Sequence, residues 1–576
     1  MALTAVAACS AIALTACGGN NGNSASGKGA GFNAAATKIV NPSTAKGGTL
    51  NLWGNQDADF WDPARGYYAF VWDFERLYTR TLVAYPSKPG AAGLKLQPDL
   101  ATALPTVTDG GKTYTFKLRS GIKFENGDPI TSQDIKYGIE RVFAQDVLPG
   151  GPVYLQQILD EGQKYQGPYK DKDPNKMGLK SVVTPDSSTI VFHLQKADSD
   201  FLNILAMGGA APVEPKMDTG ANYTKHPESS GPYKFQSYTP NKETVWVRNP
   251  NWSKATDPIR SALPDKITFT VTTNQDDLDS RLINNQIDID AGQVGVQQKA
   301  QAQVLTHPDL KSNTDDAVDG FTRYISIQPQ VAPFNNIHCR KAIEYATDPT
   351  ALQTARGGPT AGALAGNMLP PNIPGHDNYD PYNLTAGKQQ VAKAKQELQA
   401  CGKPNGFSTT IAVRNNKDKE IKSAEAEQAA LKAVGITANI DEYDGAQASS
   451  VIGAPATVKK KGYGLIVFGW GADYPSGSGF LQPLVDGRFI LPAGNNNYTM
   501  TNDPTINHLF DEGLAATSPQ AAAGFYQQVN HKIMDDALYV PTVWDQALNY
   551  RNPRLTNVTI IQELGMVDFQ ALGVQK

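Results

Sequence analysis

The chain has 576 residues, 40% of them hydrophobic, and its 52 Lys+Arg against 56 Asp+Glu leave a net charge of −4. That length supports one large multi-lobed body or several domains around a sizeable core. The near balance of charge, without like-charged runs, leaves a nucleic-acid partner no electrostatic support.

Residues 1–17, MALTAVAACSAIALTAC, are uncharged and mostly small or apolar, the texture of a secretion-signal core rather than a membrane span. Leu14-Thr15-Ala16-Cys17-Gly18 resembles a bacterial lipobox, in which the Cys17 thiol receives diacylglycerol and anchors the chain to the membrane. No Lys or Arg precedes the apolar core, and an ordinary cleaved signal is the competing reading. Residues 18–46 begin rich in Gly, Asn, Ser and Ala and are expected to be a flexible tether. Past residue 17 there is no run of about 18 apolar residues, so no second anchor is expected. Cys9 leaves with the signal. Cys339 and Cys401 remain, either bridged in an oxidising exterior or buried as free thiols.

Folded sequence is expected from Gly47-Gly48, where alternation begins in Thr49-Leu50-Asn51-Leu52-Trp53. KTYTFKLRSGIKF (112–124) alternates with Tyr114, Phe116 and Leu118 on one face. STIVFHLQ, with Ile190, Phe192 and Leu194, makes a partner for the same sheet. Thr131 opens a helix with Asp134 in its first turn and Ile135, Ile139 and Val142 on one face. VAKAKQELQACG predicts a helix stopped by Gly402. FSTTIAVR, KEIKSAEAEQAALKAVG and ITANIDEY then predict a βαβ unit with a parallel strand pair. The whole reads as an α/β body with sheets of mixed direction.

Residues 96–143, LQPDLATALPTVTDGGKTYTFKLRSGIKFENGDPITSQDIKYGIERVF, resemble the signature of the family 5 solute-binding proteins, the oligopeptide, dipeptide and nickel binders. Four further stretches agree in the same order: 229–252, 279–289, 335–352 and FGWGADYPSGSGFL at 468–481. The resemblance implies a two-lobed, type II periplasmic-binding-protein-like fold with an extra subdomain. Lobe I is expected over 47–305 plus 540–576, with the subdomain inserted at about 89–227, and lobe II over 306–539. Hinge strands are expected near 305–325 and 535–545. The implied function is capture of short peptides outside the cell by the binding component of an ABC importer. Its partners are then the permease subunits, with no cofactor or metal, and the protein acts as a monomer.

A zwitterionic peptide in a low-dielectric cleft needs an anion for its ammonium. Asp473, in Trp470-Gly471-Ala472-Asp473-Tyr474, matches the position where peptide-binding relatives place that aspartate. Gly469 and Gly471 are expected to let ligand backbone approach. The ligand carboxylate needs a cation, for which Arg414, closing FSTTIAVR, is the candidate. The opposing reading makes Asp473 a turn cap and Arg414 a solvated strand end. Trp53, Phe60, Trp61, Phe70, Trp72, Trp470, Tyr474 and Trp544 are candidates for pocket walls, against ordinary core packing. An oligosaccharide is the alternative ligand. A secreted hydrolase is the rival class, but the sequence has no G-x-S-x-G, no H-E-x-x-H and no histidine pair at metal-ligand spacing.

Overall fold

The computed structural model describes residues 30–575; the signal, Cys17 and the first part of the expected tether lie outside them. Three larger sheets, each with its own hydrophobic core, build most of the molecule, with three two-stranded ladders besides among the described residues.

The first sheet is centred on Thr49–Gly54. This strand runs parallel to Lys266–Val271 on one side and Ile289–Asp290 on the other, with Glu243–Arg248 and Tyr233–Thr239 added antiparallel. Alternation does its expected work here: Leu50 and Leu52 are fully buried, facing a core around Trp61. The Trp61 ring meets Trp246 at 5.1 Å and Phe74 at 5.5 Å, both edge-on. The chain returns at its C-terminus to close this core with Leu555, Val558, Phe569 and Leu572.

The second sheet, antiparallel throughout, has the order Thr106–Thr108, Thr113–Lys117, Thr189–His193, Val182–Asp186. The two strands expected to share a sheet pair directly, Tyr114 opposite Phe192 and Phe116 opposite Ile190. Helix Ser132–Arg141 packs on them. The Thr131 amide donates to Asp134 Oδ2 at 2.7 Å, which fixes the helix start. At its other end Arg141 forks onto Asp62 at 2.9 and 2.8 Å, both side chains fully buried, and ties this layer to the first body.

The third sheet has six strands in the order Gly362–Leu364, Tyr539–Tyr550, Thr314–Ile327, Tyr463–Gly471, Ser408–Arg414, Thr437–Tyr443. The βαβ unit forms with helix Asp418–Lys432 between parallel strands. Cys339, in helix Ile337–Ala346, is bridged to Cys401 at the end of helix Val391–Ala400, with Cα atoms 5.2 Å apart.

Strands Thr314–Ile327 and Tyr539–Tyr550 belong to both large bodies. They pair antiparallel from Thr314↔Tyr550 to Ser326↔Tyr539, with the ladder interrupted between Val318 and Thr322. Ala317 packs on the first core, while Tyr324, Ile325, Tyr539 and Val540 lie in the third. At the interruption Gly320 takes a φ of +85°, which a side chain would strain.

The expected tether differs from Ala30 onward. Gly31 and Asn33 donate backbone hydrogen bonds to Ser312 and Thr314 at 3.0 Å, and Val40 bridges to Val558. Ala34, Ala35 and Val40 are buried in the first core. Small side chains that read as linker composition are here the size needed to sit flush on a packed surface. Among the described residues no helix is long and apolar enough to cross a membrane.

Candidate functional site

Beside the break in the long ladder, strand Thr314–Ile327 borders a cavity of ≈ 390 Å³. Its walls come from Tyr67, Tyr68 and Trp72 of the first body and from Asp319, Phe321 and Arg323 on the shared strand. Segment 468–473, at the end of strand Tyr463–Gly471, supplies another wall. Phe321↔Gly471 is the last rung between the two strands. Residues 319, 321 and 323 share one face of a period-two strand, so one turn of sequence alternation puts all three toward the cavity.

Asp473 sits at the junction of the three bodies, 9% exposed. Its Oδ2 accepts the Tyr67 hydroxyl at 2.7 Å and the Tyr154 hydroxyl at 2.6 Å. Tyr67 comes from the first body, Tyr154 from helix Tyr154–Leu159 beside the second sheet. Burial pushes the carboxyl up to about 7, opposed by the two phenol hydrogen bonds, which favour the ionised form. Both phenols address the same oxygen, so Oδ1 lies outside that pair.

Arg414 also lines the cavity but is not a solvated strand end. Its Nε donates to Glu420 Oε2 at 2.8 Å, its Nη2 bonds Glu420 Oε1, and its guanidinium lies 4.4 Å from the Phe468 ring centre. Glu420 neutralises it one to one. Arg323, which the sequence reading passed over, lies in the same wall and bonds Asp545 at 2.6 Å. Asp545 also receives Arg356 at 3.2 Å, so two guanidinium groups share one carboxylate. Lys417 and Lys419 stand close enough to feel Arg323, and burial lowers both. Around this end Arg323, Arg356, Arg414, Lys417 and Lys419 outnumber the carboxylates of Asp319, Glu420 and Asp545, with Arg323, Arg414 and Asp319 lining the cavity itself, whereas among the described residues Asp473 at the other end contacts no cation.

The two glycines line the cavity and have a packing use as well. A Cβ on Gly469 would lie 2.6 Å from Arg323 Cδ, and one on Gly471 2.7 Å from the Phe321 ring. They make room for the neighbouring strand's side chains. Trp470 and Trp72 are wall residues. The Trp470 indole N–H is sealed from solvent without a hydrogen-bond partner, while that of Trp72 donates to the Gly66 carbonyl at 2.9 Å.

Three expected wall residues lie elsewhere. Tyr474, 2% exposed, turns away into the second core, its ring 5.2 Å from that of Tyr154. Trp53 packs in a side cluster with the Arg281 guanidinium 5.0 Å from its ring centre. Trp544 donates to the Asn367 carbonyl at 3.2 Å and meets His376 edge-on. Tyr474 follows the cavity-facing Asp473 but turns into another core, and the strands of Trp53 and Trp544 put no residue on the cavity. Trp61 and Phe70 are likewise core residues, and Phe60 lies under Arg65. Tyr67 and Tyr154 were missed because each reaches Asp473 across more than 300 residues, and Arg323 because no local motif announces it.

The family model described as bacterial extracellular solute-binding proteins, family 5, matches residues 95–490, more than half of the chain. The chain belongs to this family. Among curated relatives, the heme-binding protein A of Haemophilus influenzae is 26% identical over 490 residues, covering 80% of this chain and 81% of that protein. The glutathione-binding protein GsiB of Salmonella paratyphi A is 24% identical over 464 residues, covering 80% and 83%. Among solved structures, the clavulanic acid biosynthesis oligopeptide binding protein 2 superposes with a TM-score of 0.92 at 43% identity, covering 96% and 99% of the two chains. DppA of Helicobacter pylori, in complex with peptide STSA, gives 0.73 at 21% identity, covering 92% and 99%. The two-lobed family 5 fold accounts for the three bodies as two jaws and an added layer.

Proposed function

We propose that the protein is the extracytoplasmic receptor of an ABC importer and encloses a short peptide in the 390 Å³ cleft. Asp473 takes the peptide's ammonium, and the cation-rich wall of Arg323 and Arg414 takes its carboxylate. The observation that carries this reading is the polarity of the cleft, an aspartate without a cationic partner facing a surplus of guanidinium and ammonium groups. Only a dipolar ligand complements both ends. Aromatic walls from Tyr68, Trp72, Phe321 and Trp470 suit side chains of varied shape. The relative at 43% identity is named for oligopeptide binding, and the Helicobacter protein was solved with a tetrapeptide in place.

Capture works by population shift: a ligand that touches both jaws stabilises the closed form, which the permease then receives. We further propose that the chain is tethered by lipid at Cys17 and acts as a monomer. An oligosaccharide remains the second reading, since aromatic walls and carboxylates also serve sugars. Calorimetry with Asp473→Asn separates the two. A free-amine peptide loses roughly 2–5 kcal/mol, the cost of a buried unpaired charge, while its N-acetylated form loses far less. Unchanged affinity for the free-amine peptide overturns the anchor.

A further inference from the structure

Past Trp72, Asp473 and Glu563, a recess of ≈ 40 Å³ leads off the cleft into the first body. Glu75 lines it, one helical turn beyond Trp72 on helix Ala69–Tyr78. The residue is 3% exposed. Among the described residues its carboxyl makes no hydrogen bond or ion pair, and Oε1 is sealed from solvent. Two glycines let the carboxyl stand there. A Cβ on Gly66 would lie 2.8 Å from Oε1, and one on Gly208 2.1 Å from Oε2.

The arginines lining the recess do not supply the missing cation. Arg260, together with Arg80, is committed to Asp99 and Asp257. Arg76 serves two carboxylates, Glu563 at 2.7 Å and Asp568 at 3.3 Å. Negative charge is therefore in surplus around the recess once Glu75 and Asp473 are ionised. Burial, with help from Asp59 and Asp62, drives Glu75 well above the usual carboxyl range, the response of a buried acid with no cation at hand. A buried acid kept without a partner costs stability, and the recess that opens onto it shares the walls of Trp72, Asp473 and Glu563 with the ligand cleft. The recess is also small. A water occupies about 10–15 Å³ of such space, so the tip of a chain fits and a ring or branched side chain does not.

We propose that this recess is a second cation subsite, in which Glu75 receives the ammonium tip of a lysine-like side chain on the ligand's first residue while Asp473 holds its α-ammonium. It rests on the peptide reading above and narrows it. The alkyl stem of such a side chain passes Trp72, whose indole face lines both spaces.

The test is calorimetric titration of the whole protein with three dipeptides, Lys-Ala, norleucyl-alanine and Ala-Ala. Norleucine keeps the alkyl stem of lysine without its charge. The wild type binds Lys-Ala about tenfold or more tighter than norleucyl-alanine, the scale of one charge-assisted hydrogen bond. In Glu75→Gln, which keeps the volume and removes the charge, that ratio collapses toward one while Ala-Ala affinity holds. Equal wild-type affinity for Lys-Ala and norleucyl-alanine overturns the proposal without any variant. So does a Glu75→Gln protein that weakens all three alike. If none of the three binds the wild type, the peptide reading itself has failed and the subsite falls with it.

Discussion

Asp473 is held ready by two hydroxyl groups rather than by a cation, and that choice has a titration signature. Its carboxyl in the empty cleft is pushed up to about 7, and an ammonium at hydrogen-bond distance lowers it. Binding below pH 7 must then release a proton, so affinity for a free-amine peptide falls as pH drops from about 7.5 to 5.5. Above about 8 it falls again as the ligand's own α-amine, ordinarily near 7.7–8.0, loses its charge. Titrations across that range check the sign, and Asp473→Asn flattens the acid limb. The residue was legible in sequence because the FGWGADYPSGSGFL stretch carries it as a unit. Its partners were not, because Tyr67 and Tyr154 lie in other bodies and the hydroxyl groups they contribute look like any tyrosine's. Arg323 was hidden for want of a local motif. Arg414 was visible, but its Glu420 partner, six residues on and across the start of a helix, turns a free strand-end cation into a paired one.

Elements followed local pattern closely. Alternation set strands Thr49–Gly54, Thr113–Lys117 and Thr189–His193, and the Thr131/Asp134 cap set the start of helix Ser132–Arg141. What alternation could not supply is which of two faces meets a ligand, since a core and a cleft wall demand the same apolar residues; Trp53 and Trp544 fell on that ambiguity. Between elements, the Cys339–Cys401 bridge joins two helices of the third body and closes a loop of sequence separation 62. A loop of that length constrains the unfolded chain by roughly 4 kcal/mol in the chain-entropy model. Cys401→Ser therefore costs about 2–5 kcal/mol, read as a lowered urea midpoint with unchanged slope. The cleft lies on other elements, so peptide affinity at low denaturant stays as in the wild type.

At the scale of the whole molecule, the closure proposed above has a testable contact outside the ligand cavity, where the second and third bodies are hydrogen-bonded. Asp200, 5% exposed beside the second sheet, accepts Ser476 at 3.0 Å, Ser478 and Tyr526 at 3.3 Å from the third body. Next to it the Ser199 amide donates to the Leu514 carbonyl at 2.7 Å. None of these residues lines the cleft. Asp200→Asn exchanges one carboxylate acceptor for an amide donor and weakens the closed form by on the order of 1–3 kcal/mol. Free-amine and N-acetylated peptides lose equally, the opposite of the Asp473 pattern, and calorimetry with both ligands tells them apart. Loss confined to the free amine would mean that Asp200 acts on the anchor and not on closure.

The segment 31–40 lies against the root of the shared strands, hydrogen-bonded to Ser312 and Thr314 and reinforced by Arg551, which reaches the Gly31 carbonyl at 3.0 Å. A load applied at residue 31 is thus delivered to the first body, where Ala34, Ala35 and Val40 are buried, and to the root of the strands it shares with the third. A pull on that segment therefore bears on one body and the strand pair rather than on two opposite walls of the cleft.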